Sequence, residues 1–254
     1  VDALAGAGLA GALDCPILFT ERTSLHAATK EALKQMGVKS AVVLGGTAAV
    51  SDGVVEELKG MGITLKARLG GADCYDTQMK IYDYGLDNGL WGKDVVIFAT
   101  GGHYGDALSA SPVAFAKKAP IFLVDSATKD LSEVQRESLT QAAKIGYGTT
   151  VLIAGGVEAV SAAAAGTADF VSSLAGGSGE STRLGGATQY ETSSAIASWA
   201  VANAEFSWDN TAFTTGDAPY DALAGSVLQG KAKSVMLLVS PTNVSAISLS
   251  LIHI

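Results

Sequence analysis

Apolar residues in the middle of the chain fall into short continuous runs, which alternate with longer segments of helical periodicity. Three runs have the length of strands, at residues 94–99, 120–124 and 150–154. Helices are predicted between and after them, at about 107–118, 132–145 and 161–174. The second helix opens with Ser132 and Gln135 in the spacing of a capping box. Strands that are apolar on both faces, separated by helices, predict a parallel sheet covered on both sides.

The same order of motifs recurs along the whole chain, which indicates an internal repeat. The motif Asp-Ala-Leu occurs three times, at 2–4, 106–108 and 221–223. Pro-Ile at 16–17 returns at 120–121, and an apolar pair followed by Gly-Gly stands at 43–46 and 153–156. Arg-Leu-Gly-Gly-Ala occurs at 68–72 and 183–187. Because order and spacing are kept, we expect tandem α/β domains of about 100 residues each.

Two pairs of glycines, Gly45-Gly46 and Gly155-Gly156, each follow a predicted strand and precede a helix. A tight turn is the structural interpretation, since glycine adopts backbone conformations that other residues avoid. The functional interpretation is an anion cradle made of free backbone N–H groups. Neither pair belongs to a complete dinucleotide or P-loop motif, so the sequence gives nucleotide binding little support.

The carboxylate of each Asp-Ala-Leu motif, at Asp2, Asp106 and Asp221, has two compatible interpretations. As a structural group it would be the N-cap of the helix that follows. As a functional group it would contact a ligand at the carboxyl edge of a parallel sheet, where α/β proteins bind ligands.

Two arginines, Arg68 and Arg183, occupy matched positions in a chain that has few basic residues. Arginine binds carboxylate and phosphate groups through paired hydrogen bonds. The alternative is a salt bridge between repeats, for example to an Asp-Ala-Leu carboxylate. Tyr75 and Tyr190 follow at the same spacing and are further candidates for ligand contact.

Composition limits the function classes further. The chain has 254 residues, of which 48% are hydrophobic and 17% charged, and its net charge is −8. An acidic chain without a cluster of Lys and Arg is a poor candidate for nucleic-acid binding. Neither the two cysteines nor the three histidines have the spacing of a metal site, and no repeated catalytic set emerges. Repeated copies favour attachment, because copies add avidity.

Four motifs carry a specific resemblance: Gly-Asp-Ala-Leu-Ser-Ala at 105–110, Ala-Pro-Ile-Phe-Leu-Val at 119–124, Ile-Ala-Gly-Gly-Val-Glu-Ala-Val-Ser at 153–161, and Arg-Leu-Gly-Gly-Ala-Thr-Gln-Tyr-Glu-Thr at 183–192. The chain resembles the cell wall-binding repeat 2 family of Gram-positive surface proteins. The resemblance implies Toprim-like, Rossmann-like α/β domains packed around a pseudo-threefold axis. It also implies a secreted module without catalytic activity or cofactor that binds anionic wall polymers at the cell surface. The net charge predicts no nucleic-acid partner, and no apolar run approaches the roughly 18 residues that a membrane span needs, so no membrane partner is expected.

The phase of that family divides the chain into three parts. Residues 1–66 would be the end of one repeat, 67–181 a complete repeat, and 182–254 the start of a third. The N-terminus lacks an initiating Met and a basic leader, so we expect the chain to begin inside a repeat rather than with a signal peptide. The last residues, 248–254, match nothing upstream.

The chain departs from the family at one motif position. A second arginine usually precedes the tyrosine, and here Cys74 and Gln189 occupy that place. This difference and the net charge of −8 both oppose binding of an anionic polymer. Two alternatives therefore stay open: a structural module that self-assembles in a surface layer, and an enzyme acting on nucleotides or phosphoesters.

Overall fold

A computed structural model describes residues 2–240 and 242 of the chain. The tail at 248–254 lies outside the described residues. Residues 2–6 form a 3₁₀ turn that leads into the first helix. The helices are α1 Ala7–Ala12, α2 Ala27–Gln35, α3 Asp52–Gly60, α4 Cys74–Asp87, α5 Tyr104–Lys117, α6 Glu133–Ala143, α7 Ala162–Leu174, α8 Gln189–Asn203 and α9 Pro219–Ala232. The strands are β1 Ser40–Leu44, β2 Thr64–Leu69, β3 Val95–Thr100, β4 Ile121–Val124, β5 Thr150–Ala154, β6 Thr182–Leu184, β7 Ser207–Thr215 and β8 Ser234–Val239.

The largest sheet, called here the middle sheet, has four parallel strands in the order β4-β3-β5-β6. The three strands and three helices predicted for this region are present, and α6 begins with the predicted capping box at Ser132 and Gln135. The fourth strand, β6, was not anticipated. It comes from residues beyond the predicted repeat boundary at 181, so the middle sheet crosses that predicted boundary.

Two smaller parallel sheets flank the middle one, and each reproduces half of it. In the β1-β2 pair Val43 lies opposite Arg68, as Ile153 lies opposite Arg183 in the β5-β6 pair. In the β7-β8 pair the residue opposite Phe213 is Leu237, and β3-β4 has the same register. The repeat seen in the sequence is therefore kept in the pairing of individual residues.

Both faces of the middle sheet are buried because successive side chains of a strand point to opposite faces. On β3, Ile97 and Ala99 pack with α5 and α8 in one core. Val96 and Phe98 pack in a second core with α4, α6 and α7. The α/β architecture with covered parallel sheets, predicted from the apolar runs, is confirmed. Within the described part of the chain, no helix is long and apolar enough to cross a membrane.

The helices that contain or directly follow the Asp-Ala-Leu motifs pack against one another, α1 on α5, α5 on α9 and α1 on α9. Gly11, Phe115 and Gly230 occupy matched positions in them. A side chain at Gly11 would collide with the backbone of Phe115, and one at Gly230 would press on the Phe115 side chain. One large residue between two glycines thus lets three equivalent helices meet, the packing expected around a pseudo-threefold axis.

Candidate functional site

The two glycine pairs form matched turns at the carboxyl ends of β1 and β5, called here the first and the second Gly-Gly turn. Gly45 and Gly155 have φ of 115° and 113°, a region that favours glycine. Their N–H groups are not free, because each donates to the carbonyl of the last residue of the neighbouring strand, at 2.7 Å and 2.8 Å. Among the described residues, the N–H groups of Gly46 and Gly156 have no hydrogen-bond partner. Only the second glycine of each pair can therefore offer an amide to an anion.

In the first Gly-Gly turn, other groups of the protein already bind the Arg68 side chain. Its Nη1 donates to the carbonyls of Val50, at 2.5 Å, and Gly45, at 3.4 Å. Its Nη2 lies 3.1 Å from the carboxylate of Asp52, the first residue of α3. The side chain is 20% exposed. The salt bridge therefore crosses the predicted repeat boundary after residue 66, and its acid is Asp52 rather than an Asp-Ala-Leu carboxylate.

In the second Gly-Gly turn, Arg183 has far fewer partners. Its Nη1 donates to the carbonyl of Gly155 at 3.1 Å. The residue that corresponds to Asp52 is Ala162, the first residue of α7, and no carboxylate of the described chain lies within 4.0 Å of the guanidinium. Partial burial lowers the pKa of Arg183. A guanidinium stays charged in proteins, so this one keeps hydrogen-bond donors available.

The sequence suggests that the Asp-Ala-Leu carboxylates are helix N-caps, and the structure shows that they are not. His103 caps α5 by accepting from the N–H of Gly105, and Asp106 is the third helical residue. Asp106 lies against Gly155 and is hydrogen-bonded by the hydroxyl of Thr192. Desolvation raises the pKa of Asp106, while Thr192 and His103 act in the opposite direction. This carboxylate therefore joins α5 to α8 behind the second Gly-Gly turn.

The other two Asp-Ala-Leu carboxylates differ from Asp106. Asp2 lies against Gly45, so it has the matching place behind the first Gly-Gly turn. Asp221 is exposed on α9. The structure thus brings two of the three aspartates to a Gly-Gly turn.

Each candidate tyrosine follows a strand of one sheet and contacts residues at the carboxyl end of another sheet. The Tyr75 hydroxyl accepts from the N–H of Ser126 at 3.0 Å, and its ring packs on Gly101. The Tyr190 hydroxyl donates to Asp217 at 3.2 Å, and its ring packs on Gly216. Both tyrosines lie at the carboxyl ends of strands, where they connect one sheet to the next.

The positions of the missing second arginine, Cys74 and Gln189, directly precede these two tyrosines. The Gln189 side chain donates to the carbonyl of Gly216 at 2.9 Å, and its own oxygen is buried without a partner. Cys74 is a half-buried free cysteine, and burial raises the pKa of its thiol.

Sequence reasoning missed the residue that distinguishes the two turns. Asp52 and Ala162 each follow the serine that precedes a helix, so aligning the two copies after their Gly-Gly pairs would have exposed the difference. No group of three or more His, Cys, Asp or Glu in the described residues could hold a metal ion. What the second turn can do is bind an anion through the guanidinium of Arg183, since the Gly156 N–H points away from the Gly155 carbonyl that this guanidinium contacts.

Comparisons with known proteins agree with this fold. The sequence matches the profile of cell wall binding domain 2 over residues 1–55, 68–165 and 183–252. It is 27% identical over 244 residues to N-acetylmuramoyl-L-alanine amidase LytC of Bacillus subtilis, covering 96% of this chain and 44% of that protein. It is 25% identical to the Amidase enhancer of the same organism, covering 99% of this chain and 31% of that protein. The chain thus spans less than half the length of these relatives.

Two solved structures from Clostridium difficile share the architecture. Cwp6 superposes with a TM-score of 0.80 at 22% identity, covering 98% of this chain and 38% of that one. Cwp8 superposes with a TM-score of 0.76 at 21% identity, covering 98% and 40%. These likenesses support the fold of tandem α/β repeats, and the profile match extends over most of the sequence. The chain belongs to the cell wall binding domain 2 family.

Proposed function

We propose that this chain is a non-catalytic module that attaches a secreted protein to an anionic polymer of a Gram-positive cell wall, with the main contact at the second Gly-Gly turn. Family membership supports cell-wall binding. The observation that carries the finer proposal is the half-buried Arg183, which has one carbonyl partner and no acidic one in the described chain. The amidase named among the relatives is more than twice as long as this chain, so its activity is not part of the proposal.

An anion at the second Gly-Gly turn would be held by one side chain. The Arg183 guanidinium can bind two oxygens of a phosphate or carboxylate at once. The Gly156 N–H belongs to the same trans peptide group as the carbonyl that Arg183 contacts and points away from it, so it is not part of this contact. At the first turn the guanidinium of Arg68 faces Asp52, whose carboxylate already neutralises it. We therefore assign the attachment to Arg183, with Asp106, Tyr75 and Tyr190 positioning the surrounding repeats.

The net charge of −8 opposes an anionic ligand only where charges act at long range. At physiological salt the Debye length is about 8 Å, so distant surface acids are largely screened. Contacts made directly by a partly buried guanidinium are screened much less. Weak long-range repulsion and a strong local contact are therefore compatible.

The test is sedimentation of the chain with purified cell walls, before and after chemical removal of their secondary polymers. We expect the chain to sediment with intact walls and to stay in solution with stripped walls. Raising the salt concentration should reduce retention only moderately, since a contact made by a partly buried guanidinium is screened much less than an exposed one. Equal retention on stripped walls would contradict the proposal.

A second candidate function is a structural role in a surface layer. Gln189, in place of the expected arginine, donates to Gly216 at the end of β7, which is a packing contact between two sheets rather than a ligand contact. This function predicts that the chain self-associates without any polymer. Light scattering coupled to size exclusion, over a wide range of protein concentrations, separates the two functions.

A further inference from the structure

A second basic residue lies beside each Gly-Gly turn, on a loop from another part of the chain. The serine that precedes α7, Ser161, donates its N–H to the carbonyl of Lys129 at 2.8 Å. The serine that precedes α3, Ser51, donates in the same way to the carbonyl of Arg22, also at 2.8 Å. Lys129 and Arg22 are therefore structural counterparts at the two turns.

In the second Gly-Gly turn, the loop cation is paired with an acid. The Lys129 ammonium lies 2.6 Å from a carboxylate oxygen of Glu158, which is a residue of the turn itself. The Glu158 side chain is 89% exposed and that of Lys129 is 39% exposed. The Lys129 charge lowers the pKa of the Glu158 carboxyl. Because an ion pair this exposed contributes little, an anionic ligand can displace Glu158 from Lys129.

The first Gly-Gly turn has the reverse arrangement. Ala48 stands where the second turn has Glu158, and the exposed Arg22 forms no ion pair in the part of the chain that the structure describes. The acid of this turn, Asp52, pairs instead with Arg68, which is mostly buried and also bonded to two carbonyls. The first turn therefore offers one accessible cation, whereas the second can offer two.

The two cations of the second turn contact the same short segment. Arg183 binds the carbonyl of Gly155, and Lys129 binds the carboxylate of Glu158, three residues further along. Three residues span at most about 11 Å even in an extended chain. Lys129 is also bonded to Ser161, directly before the helix position where the arginine of the first turn has its acid. Two neighbouring anionic groups of one polymer can therefore reach both cations.

We propose that Lys129 is a second contact for the wall polymer, and that the polymer displaces Glu158 so that neighbouring anionic groups of one polymer chain bind Arg183 and Lys129. This inference rests on the proposed function and narrows its ligand to a polymer whose anionic groups recur along the chain. An isolated phosphate or carboxylate binds at one cation only. Linked groups bind more tightly, because the first contact raises the effective concentration of the second group.

The test is sedimentation with a dilution series of intact walls. Glu158→Gln removes the competing carboxylate and should lower the wall concentration needed for half-saturation about two- to fivefold, as expected for one exposed charge contact. Lys129→Gln removes the proposed contact, keeps a long polar side chain, and should raise that concentration by a similar factor. Thermal unfolding checks that both variants are folded.

Two controls separate the proposed contact from a general effect of charge. Arg22→Gln removes the counterpart of Lys129 at the first turn. Glu180→Gln removes an exposed acid that lies before β6, at the opposite edge of the middle sheet, and forms no ion pair with any residue that the structure describes. We expect both controls to bind walls as the wild type does. Equal effects of E158Q and E180Q, or of K129Q and R22Q, would overturn the inference.

The double variant is the sharpest test, because the gain from Glu158→Gln should act through Lys129. In a chain that carries K129Q, adding E158Q should therefore change wall binding by less than it does in the wild type. A gain of the same size in both backgrounds would contradict the inference. If Arg183→Ala weakens binding while K129Q and E158Q have no effect, this inference fails and the proposed function stands. Equal retention of the wild type on stripped walls would instead overturn the proposed function, and this inference with it.

Discussion

The first and second Gly-Gly turns place an arginine over the same backbone carbonyl, that of Gly45 in one and that of Gly155 in the other. They differ in the first residue of the helix that follows, which is Asp52 in the first turn and Ala162 in the second. The acid pairs with Arg68, and Arg183 has no such partner among the described residues. Two copies with one backbone can therefore have different chemistry, because a single side chain decides whether the guanidinium is already neutralised.

The largest expected effect is the loss of wall binding when Arg183 is replaced. Arg183→Ala should raise the wall concentration needed for half-saturation by about ten- to a hundredfold, since hydrogen bonds to a charged group contribute about 1.5–3 kcal/mol. Arg68→Ala is the matched control and should stay close to the wild type. Sedimentation with a dilution series of walls measures both. Equal losses for the two variants would remove the distinction between the turns.

A smaller loss is expected when the second turn is given the acid of the first. Ala162→Asp should pair with Arg183 and weaken wall binding several-fold, because the anion then has to displace a carboxylate. The variant should fold well, since an acid in the first turn of a helix is favourable. Thermal unfolding checks the fold, and sedimentation checks the binding. Unchanged binding in a folded variant would show that Arg183 does not carry the contact.

For stability we expect the reverse order: replacing Arg68 should lower the free energy of unfolding more than replacing Arg183. Arg68→Ala removes hydrogen bonds to two carbonyls and the pair with Asp52, and we expect it to lower the free energy of unfolding by about 1–2 kcal/mol. Arg183→Ala removes one carbonyl bond and should cost less. Urea denaturation of both variants measures the difference. A larger loss for Arg183→Ala would indicate that its role is structural.

The smallest effect concerns Asp106 and depends on pH. Burial raises the pKa of this carboxyl above its ordinary value of 3.8, so the folded chain holds its proton to higher pH than the unfolded chain does. Stability from this group is therefore lost as pH rises through the folded pKa. Asp106→Asn should be more stable than the wild type at neutral pH, and the advantage should vanish near pH 3.8 and below. Thermal unfolding across pH tests this, with the exposed Asp221→Asn as control, and a difference that does not change with pH would contradict it.

Much of the middle sheet could be predicted from the sequence, because its strands are continuous apolar runs and its helices have local capping signals. Ser132 and Ser161 both cap helices where the pattern predicted them. The strand β6 escaped prediction because it is three residues long and partly polar, and only its pairing with β5 makes it a strand. The hydrophobic pattern of three residues is too short to predict such a strand.

The candidate site was predictable in its members and not in their partners. The matched copies of Arg68 and Arg183 were evident, yet the carbonyls and the acid that engage Arg68 come from other parts of the turn. The role of Asp106 also depended on tertiary contacts, since His103 takes the N-cap and leaves the carboxylate to face Gly155 and Thr192. Long-range neighbours, rather than spacing along the chain, decide which donors remain free.

The most direct measurement exchanges the one difference between the turns. In a chain carrying both Asp52→Ala and Ala162→Asp, the free guanidinium should move from Arg183 to Arg68. We predict that half-saturation on intact walls then depends on Arg68, so that adding Arg68→Ala abolishes binding and adding Arg183→Ala has little effect. If binding in the exchanged chain still depends on Arg183 and not on Arg68, the pairing with Asp52 does not control attachment and the account is wrong.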